Sequence, residues 1–199
     1  DPNQLKLSFE SLQEAELLET EYSYATTQID LPKDVADFIQ AWGELNIPDE
    51  SLWTDPEEPD KRQRENESHV TLLYGIGADQ DITKLHAIGA RYQPFPVLIG
   101  NVSLFQNNPA YDVVKLDVES PELRRLAAEL REKVPNENKY PEYHPHCTLA
   151  YVKKGTCDKL VGKDVFAASQ KPSEFTAYGF VFQGAGDEAD TREHETILF

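Results

Sequence analysis

The chain has 199 residues, 39% of them apolar, which suits one sizeable core or two small lobes and excludes a disordered tail. Its net charge of −17, from 36 acidic against 19 basic residues, gives no electrostatic footprint for duplex or long-RNA binding and leaves room only for a small anion in a locally positive pocket. No stretch approaches the roughly 18 apolar residues of a membrane span and no secretory signal opens the chain, so a soluble, cytoplasmic protein is expected.

Residues 1–20 set leucines among Glu and Gln, the pattern of an N-terminal arm or helix ahead of a domain over 21–199. The sequence begins at Asp1 and has no Met, as expected of a processed product or a domain of a longer chain. "YSYATTQIDL", residues 22–31, reads as a strand, with Tyr22, Tyr24, Thr26 and Gln28 on one face. Pro32 suits a first helical turn, and Val35, Phe38, Ile39, Trp42 and Leu45 at helical spacing predict an amphipathic helix over 32–46. Residues 48–66 are charged and proline-punctuated, a long loop of the kind that often serves as a lid. "ESHVTLLYGI" then gives a strand, followed by a weaker helix over 82–92 and two apolar runs, "FPVLIGNVSLFQ" and "YDVVKLDVES", which should pair as strands. Ser120 and Pro121 start a helix whose Leu123, Leu126, Ala127, Leu130 and Val134 form one face. A polar loop leads into "HCTLAYVKKG", and "SEFTAYGFVFQG" and "TREHETILF" are two closing strand-like runs. Cys147 and Cys157 are too few for a disulfide framework and lack zinc spacing, so both are read as structural, in keeping with a reducing compartment.

The order strand, helix, loop, His-x-Thr strand occurs twice. Residues i and i+2 of a strand share a face, so His69 projects with Thr71 and His146 with Thr148, while Val70, Leu72, Cys147 and Leu149 face the core. One such pair on its own is an ordinary structural feature; two copies suggest a groove with facing acid/base sets. Histidine titrates near neutrality, so one copy can take a proton while the other gives one, and the threonine hydroxyls can donate to phosphate oxygens. Which histidine acts as base stays open.

These motifs make the sequence resemble the 2H phosphoesterases, named for two histidines in His-x-Thr/Ser motifs, over about residues 22–199. The resemblance implies an α+β fold of two lobes, with two antiparallel sheets facing across a central groove and helices outside. It also implies a phosphodiesterase that uses neither metal nor cofactor, with His69, Thr71, His146 and Thr148 as catalytic positions. The words "YATTQIDLP", "ESHVTLLYG" and "YHPHCTLAYV" further resemble phage anti-CBASS phosphodiesterases, which cleave cyclic oligonucleotides. That likeness implies a small nucleotide substrate, a host-cytoplasmic setting and a longer phage protein. A 2′,3′-cyclic phosphodiesterase or 2′-5′ RNA ligase-like RNA-processing enzyme, a nucleotide-binding module without turnover and a phage structural domain are the alternatives.

Tyr24, Thr26, Trp53, Tyr143 and His144 are candidates for contacting the nucleotide, each balanced by an ordinary packing role. His144 and His146 have a metal-compatible spacing but no accompanying ligand motif, so no metal is assigned. His86 and His194 read as surface or packing residues.

Overall fold

Alternation between apolar and polar residues marks the motif strands, whose first residues alternate between half-buried and buried positions, while the strand Tyr111–Glu119 is buried on both faces over most of its length. The computed structural model describes residues 25–57, 59, 63–77, 80–139, 142–184 and 194–199; the arm at 1–20, Tyr22 and Tyr24 lie outside these. Strands β1 (Ala25–Asp30), β2 (His69–Ile76), β7 (Gly179–Gln183) and β8 (His194–Leu198) form one antiparallel sheet in the order β2-β1-β7-β8. Strands β3 (Phe95–Phe105), β4 (Tyr111–Glu119), β5 (His146–Lys153) and β6 (Glu174–Ala177) form the other, in the order β5-β4-β3-β6. The fold is α+β, and the two sheets face one another across the groove. The two orders correspond position by position. In each sheet the strand carrying a His-x-Thr motif is the outermost, paired with the strand that precedes it in its strand-helix-loop-strand unit.

Helix α1 (Lys33–Asn46) begins after Pro32, which occupies the N-cap position, and buries Val35, Ile39 and Gly43. Phe38 stacks on Phe166 with ring centroids 5.2 Å apart. Leu45, expected on this face, is 87% exposed, because the buried stripe passes through Gly43 and leaves Leu45 on the solvent side. Helix α2 (Ile82–Gly89) starts at Asp81, whose carboxylate accepts the Thr83 N–H, and ends before the expected residue 92. It stops where Gly89 meets β8 so closely that an added Cβ would lie 2.4 Å from Cγ2 of Ile197. Helix α3 (Pro121–Lys133) has Ser120 as N-cap and buries Leu123, Leu126, Ala127 and Leu130, with Val134 buried at its end, as the spacing requires.

The helices cross between units: α1 packs on β5 and α3 on β2. The loops do the same. Both arms of the 48–66 segment lie along the outer edge of β5: Trp53 N–H donates to Tyr151 O, Tyr151 N–H to Gln63 O, and Glu65 N–H to Leu149 O, each at 3.0 Å. Arg64 fastens this segment to α1 by donating to the carbonyls of Gly43 and Ile47, at 3.2 and 2.8 Å. The described arms are thus strand-like covers for an edge, not a free lid. On the opposite strand, Glu137 N–H donates to Gly75 O at 2.9 Å and Asn136 bridges Ile76.

One expected strand proves to be two. The run from Ser173 to Gly184 changes sheets at Tyr178, giving β6 in one sheet and β7 in the other. Gly179 sits at the crossing, where a Cβ would fall 2.3 Å from the carbonyl oxygen of Ile197. Replacing Gly179 with Ala should therefore lower stability by roughly 1–3 kcal/mol through overpacking, seen as a lower urea midpoint with an unchanged slope. An unaltered midpoint would show that β8 yields freely.

Candidate active site

Each histidine sits at the first position of its strand, where the ladder ends and the side chain reaches the groove. His69 Nδ1 lies 2.6 Å from Glu67 O, and His146 Nδ1 lies 2.7 Å from His144 O. A carbonyl only accepts, so Nδ1 carries the hydrogen in both rings and Nε2 is left as the nitrogen able to exchange a proton with a ligand. Thr71 and Thr148 are half-buried like the histidines, and among the described residues no protein hydrogen bond occupies either hydroxyl. Val70, Leu72, Cys147 and Leu149 are buried on the opposite faces, as the alternation requires.

The two strands belong to different sheets yet touch. The His69 backbone acts on the Cys147 thiol, and the Tyr143 hydroxyl, from the segment leading into β5, donates to Thr71 O at 2.8 Å. Burial pushes the Cys147 thiol up to about 12, with Glu65 adding and the His69 backbone opposing, so this cysteine is an inert packing group. Cys157 is likewise buried and free. Burial also raises the Tyr143 phenol, against the charge of Arg124.

Register places a second pair beside each motif. In the first sheet Asp30 is opposite His69 and Gln28 opposite Thr71, and Gln28 Nε2 donates to Asp30 Oδ1 at 2.7 Å. In the second sheet Asp117 is opposite His146 and Lys115 opposite Thr148, and Lys115 Nζ donates to Asp117 Oδ1 at 2.8 Å. Lys115 is 6% exposed; it also donates to Ser103 Oγ at 2.6 Å and lies 4.3 Å from the Phe105 ring centroid. Phe105 in turn meets the His146 ring edge-on at 4.8 Å. Burial would raise the Asp117 carboxyl, but hydrogen bonds from Lys115 and Ser103 and the charges of Lys115 and His146 hold it below its ordinary value.

His146 is pushed down to about 4, chiefly by burial; the His144 carbonyl opposes this, Lys115 and His69 reinforce it, and Asp117 opposes it. That His69 acts on it at all puts the two rings within electrostatic reach.

The nucleotide-contact candidates divide. Thr26 is half-buried on the face of β1 that carries Gln28, across from Gln183. The Trp53 ring lies 4.6 Å from Tyr111, which meets Tyr151 edge-on at 5.5 Å. Tyr151 follows Thr148 on the same face of β5, past a bulge opposite Val114 and Lys115. Tyr143 has its hydroxyl committed to the β2 backbone, and the exposed His144 ring is directed at Glu142, 3.4 Å away, while its carbonyl orients His146. Among the described residues no group of three or more His, Cys, Asp or Glu side chains is arranged to hold a metal. No described helix is long and apolar enough to cross a membrane.

Lys115, Asp117, Ser103 and Phe105 were not singled out by the sequence reading. The signal was there: in "YDVVKLDVE" the single lysine and the following aspartate stand two apart in an apolar strand, the spacing of the His-x-Thr motifs themselves.

A family model described as the 2′-5′ RNA ligase superfamily matches residues 31–182. The chain belongs to that superfamily, a group of 2H phosphoesterases, and is an enzyme of the phosphodiesterase class. Similar solved structures include TT0787 of Thermus thermophilus, at a TM-score of 0.55 and 18% identity over 87% of this chain and 94% of that one. E. coli LigT complexed with 3′-AMP gives 0.54 and 16% over 87% and 94%. Kluyveromyces marxianus Usb1 gives 0.51 and 11% over 88% and 97%. These likenesses show the same fold. No curated protein sequence matches the chain.

The neutral His146 has a consequence for stability. The unfolded chain takes up this proton near pH 6.5 and the folded chain near 4, so between them the unfolded state binds more protons. The His146 contribution to stability is complete above about 6.5 and declines as pH falls toward 4. Urea midpoints across this window should fall more steeply for the wild type than for His146→Gln; equal slopes would contradict a neutral buried ring.

Proposed function

We propose that the chain is a metal-independent phosphodiesterase that cleaves small nucleotide phosphodiesters, cyclic oligonucleotides foremost, by two-histidine acid/base catalysis. The observation that carries this reading is the matched pair of tautomer-fixed histidines, each with a threonine on the same strand face. One Nε2 takes the proton of the attacking hydroxyl while the new P–O bond forms. The other Nε2 gives its proton to the departing oxygen as the old P–O bond breaks, so acid and base are both supplied by the protein. Thr71 and Thr148 donate to the negative phosphate oxygens, and the buried Lys115 ammonium, already bound to Ser103 and Asp117, adds positive charge nearby.

With a neighbouring 2′-hydroxyl as nucleophile the first product is a 2′,3′-cyclic phosphate, and water then opens it with the histidine roles exchanged. The net charge of −17 favours a small substrate over a long RNA, because long polyanions are repelled before they reach a lysine in a groove. Similarity to phage anti-CBASS phosphodiesterases supports cyclic oligonucleotide defence signals as the substrates, in the host cytoplasm. Trp53 and Tyr151, half-buried around the buried Tyr111 ring, offer apolar ring surface for a base along β5 from Thr148.

Changing either His69 or His146 to Ala should cut turnover of the cleaved nucleotide by about 100-fold or more while nucleotide binding is largely kept. Near wild-type turnover in the double variant would end the assignment. Product masses from cyclic dinucleotides, cyclic trinucleotides, 2′,3′-cyclic mononucleotides and a long single-stranded RNA should rank the RNA last at moderate salt; RNA ranked first would make this an RNA-processing enzyme. Dialysis against a chelator should leave the rate unchanged, and loss restored by added zinc or magnesium would refute the two-histidine scheme.

A further inference from the structure

The two halves of the site match in register but not in charge. Opposite His146 and Thr148 stand Asp117 and Lys115, a carboxylate whose charge is cancelled by its ammonium partner. Opposite His69 and Thr71 stand Asp30 and Gln28, and here the partner of the carboxylate is a neutral amide. Cross-strand neighbours have Cβ atoms about 5 Å apart, close enough for these charges to act on the rings. We propose that this difference polarises the site: His146 rests as the general base and His69 as the general acid, with Lys115 as the positioning residue that decides between them. This rests on the acid/base reading above and goes further by fixing the direction of the proton relay and hence the orientation of the substrate.

The groups facing each ring support that direction. Around His146 are the Asp117 carboxylate and Lys115 ammonium from β4, His69 from β2 and the uncharged Phe105 from β3, so a proton gained there faces a carboxylate already bound to a cation. Around His69 are Asp30 from β1 and the carbonyl of Glu67. The carboxylate facing His69 is thus paired with an amide, whereas the one facing His146 is paired with an ammonium. The low proton affinity of His146 agrees.

The attacking hydroxyl then belongs at the β5 side. Its proton passes to His146 Nε2 as the O–P bond forms; the leaving oxygen, on the β2 side, takes the proton of His69 Nε2 as its bond to phosphorus breaks. The nucleoside bearing the nucleophile is thereby placed toward the Trp53, Tyr111 and Tyr151 cluster, on the face of β5 that continues from Thr148. The leaving nucleoside falls toward β1, where Thr26 and Gln28 line the face.

The test uses the full chain with nitrogen-labelled histidine, following the ring signals by NMR against pH, alongside pH profiles of kcat/KM on whichever cyclic nucleotide is turned over. Lys115→Gln should move the His146 titration up by about one unit, since removing a nearby cation favours the imidazolium, and Lys115→Arg should restore it. The ascending limb of kcat/KM should move with His146. Asp117→Asn, at a half-exposed position, should move His146 the other way, and serves if Lys115→Gln does not fold. Asp30→Asn should shift the descending limb to lower pH and leave the ascending one in place. A His146 titration indifferent to both Lys115→Gln and Asp117→Asn, or a descending limb that follows Lys115→Gln, overturns the proposal. If the ring shifts as stated but no nucleotide is cleaved, the phosphodiesterase reading fails while the charge asymmetry stands.

Discussion

Everything catalytic here depends on two strands from separate sheets being held side by side without becoming one ladder. A continuous β2–β5 pairing would consume the edge backbone groups and fix the motif side chains in a single flat sheet. Instead the Tyr143 hydroxyl, just ahead of β5, ties to the Thr71 carbonyl of β2. Further edge groups are taken by segments arriving from the opposite unit, Trp53 and Gln63 to Glu65 on β5 and Asn136 to Glu137 at the end of β2. Unpaired edges are templates for aggregation, and here they are closed by the loops that lead into the motifs. The same contacts that protect the edges thus set the mouth of the groove.

Much of this was legible in the sequence because it followed from spacing. Period two in "HVTL" and "HCTL" fixed which side chains face the groove, and the 3.6-residue stripe of Leu123, Leu126, Ala127 and Leu130 fixed the inner face of α3. What escaped was decided by pairing between distant segments. Lys115 sits in a run that reads as core, and only its register against Thr148 makes it part of the site. The change of sheet at Tyr178 left no break in the apolar pattern, since both β6 and β7 alternate; its only sequence mark was Gly179. Tyr143 and His144 were sought as nucleotide contacts for their rings, whereas the structure engages a hydroxyl in one and a main-chain carbonyl in the other.

The duplicated arrangement also shows how a nearly symmetric frame supports an unsymmetric reaction. Tautomer and register are matched on both sides. The two sides differ in charge type at one register position, ammonium against amide. Such a solution leaves the packing of both sheets intact because Lys115 and Gln28 both lie nearly buried and both donate to an aspartate.

The sheet orders also bear on how the chain is made. Sheet β5-β4-β3-β6 is drawn from one unbroken stretch, Phe95–Ala177, and can assemble as soon as that stretch has been synthesised. The sheet holding His69 cannot: β1 and β2 emerge early but must wait for β7 and β8, more than a hundred residues later. Until then β1 lacks its inner neighbour, and loop closure over that distance delays its pairing. The sheet carrying the first His-x-Thr strand is therefore completed only after the strand carrying the second has been made.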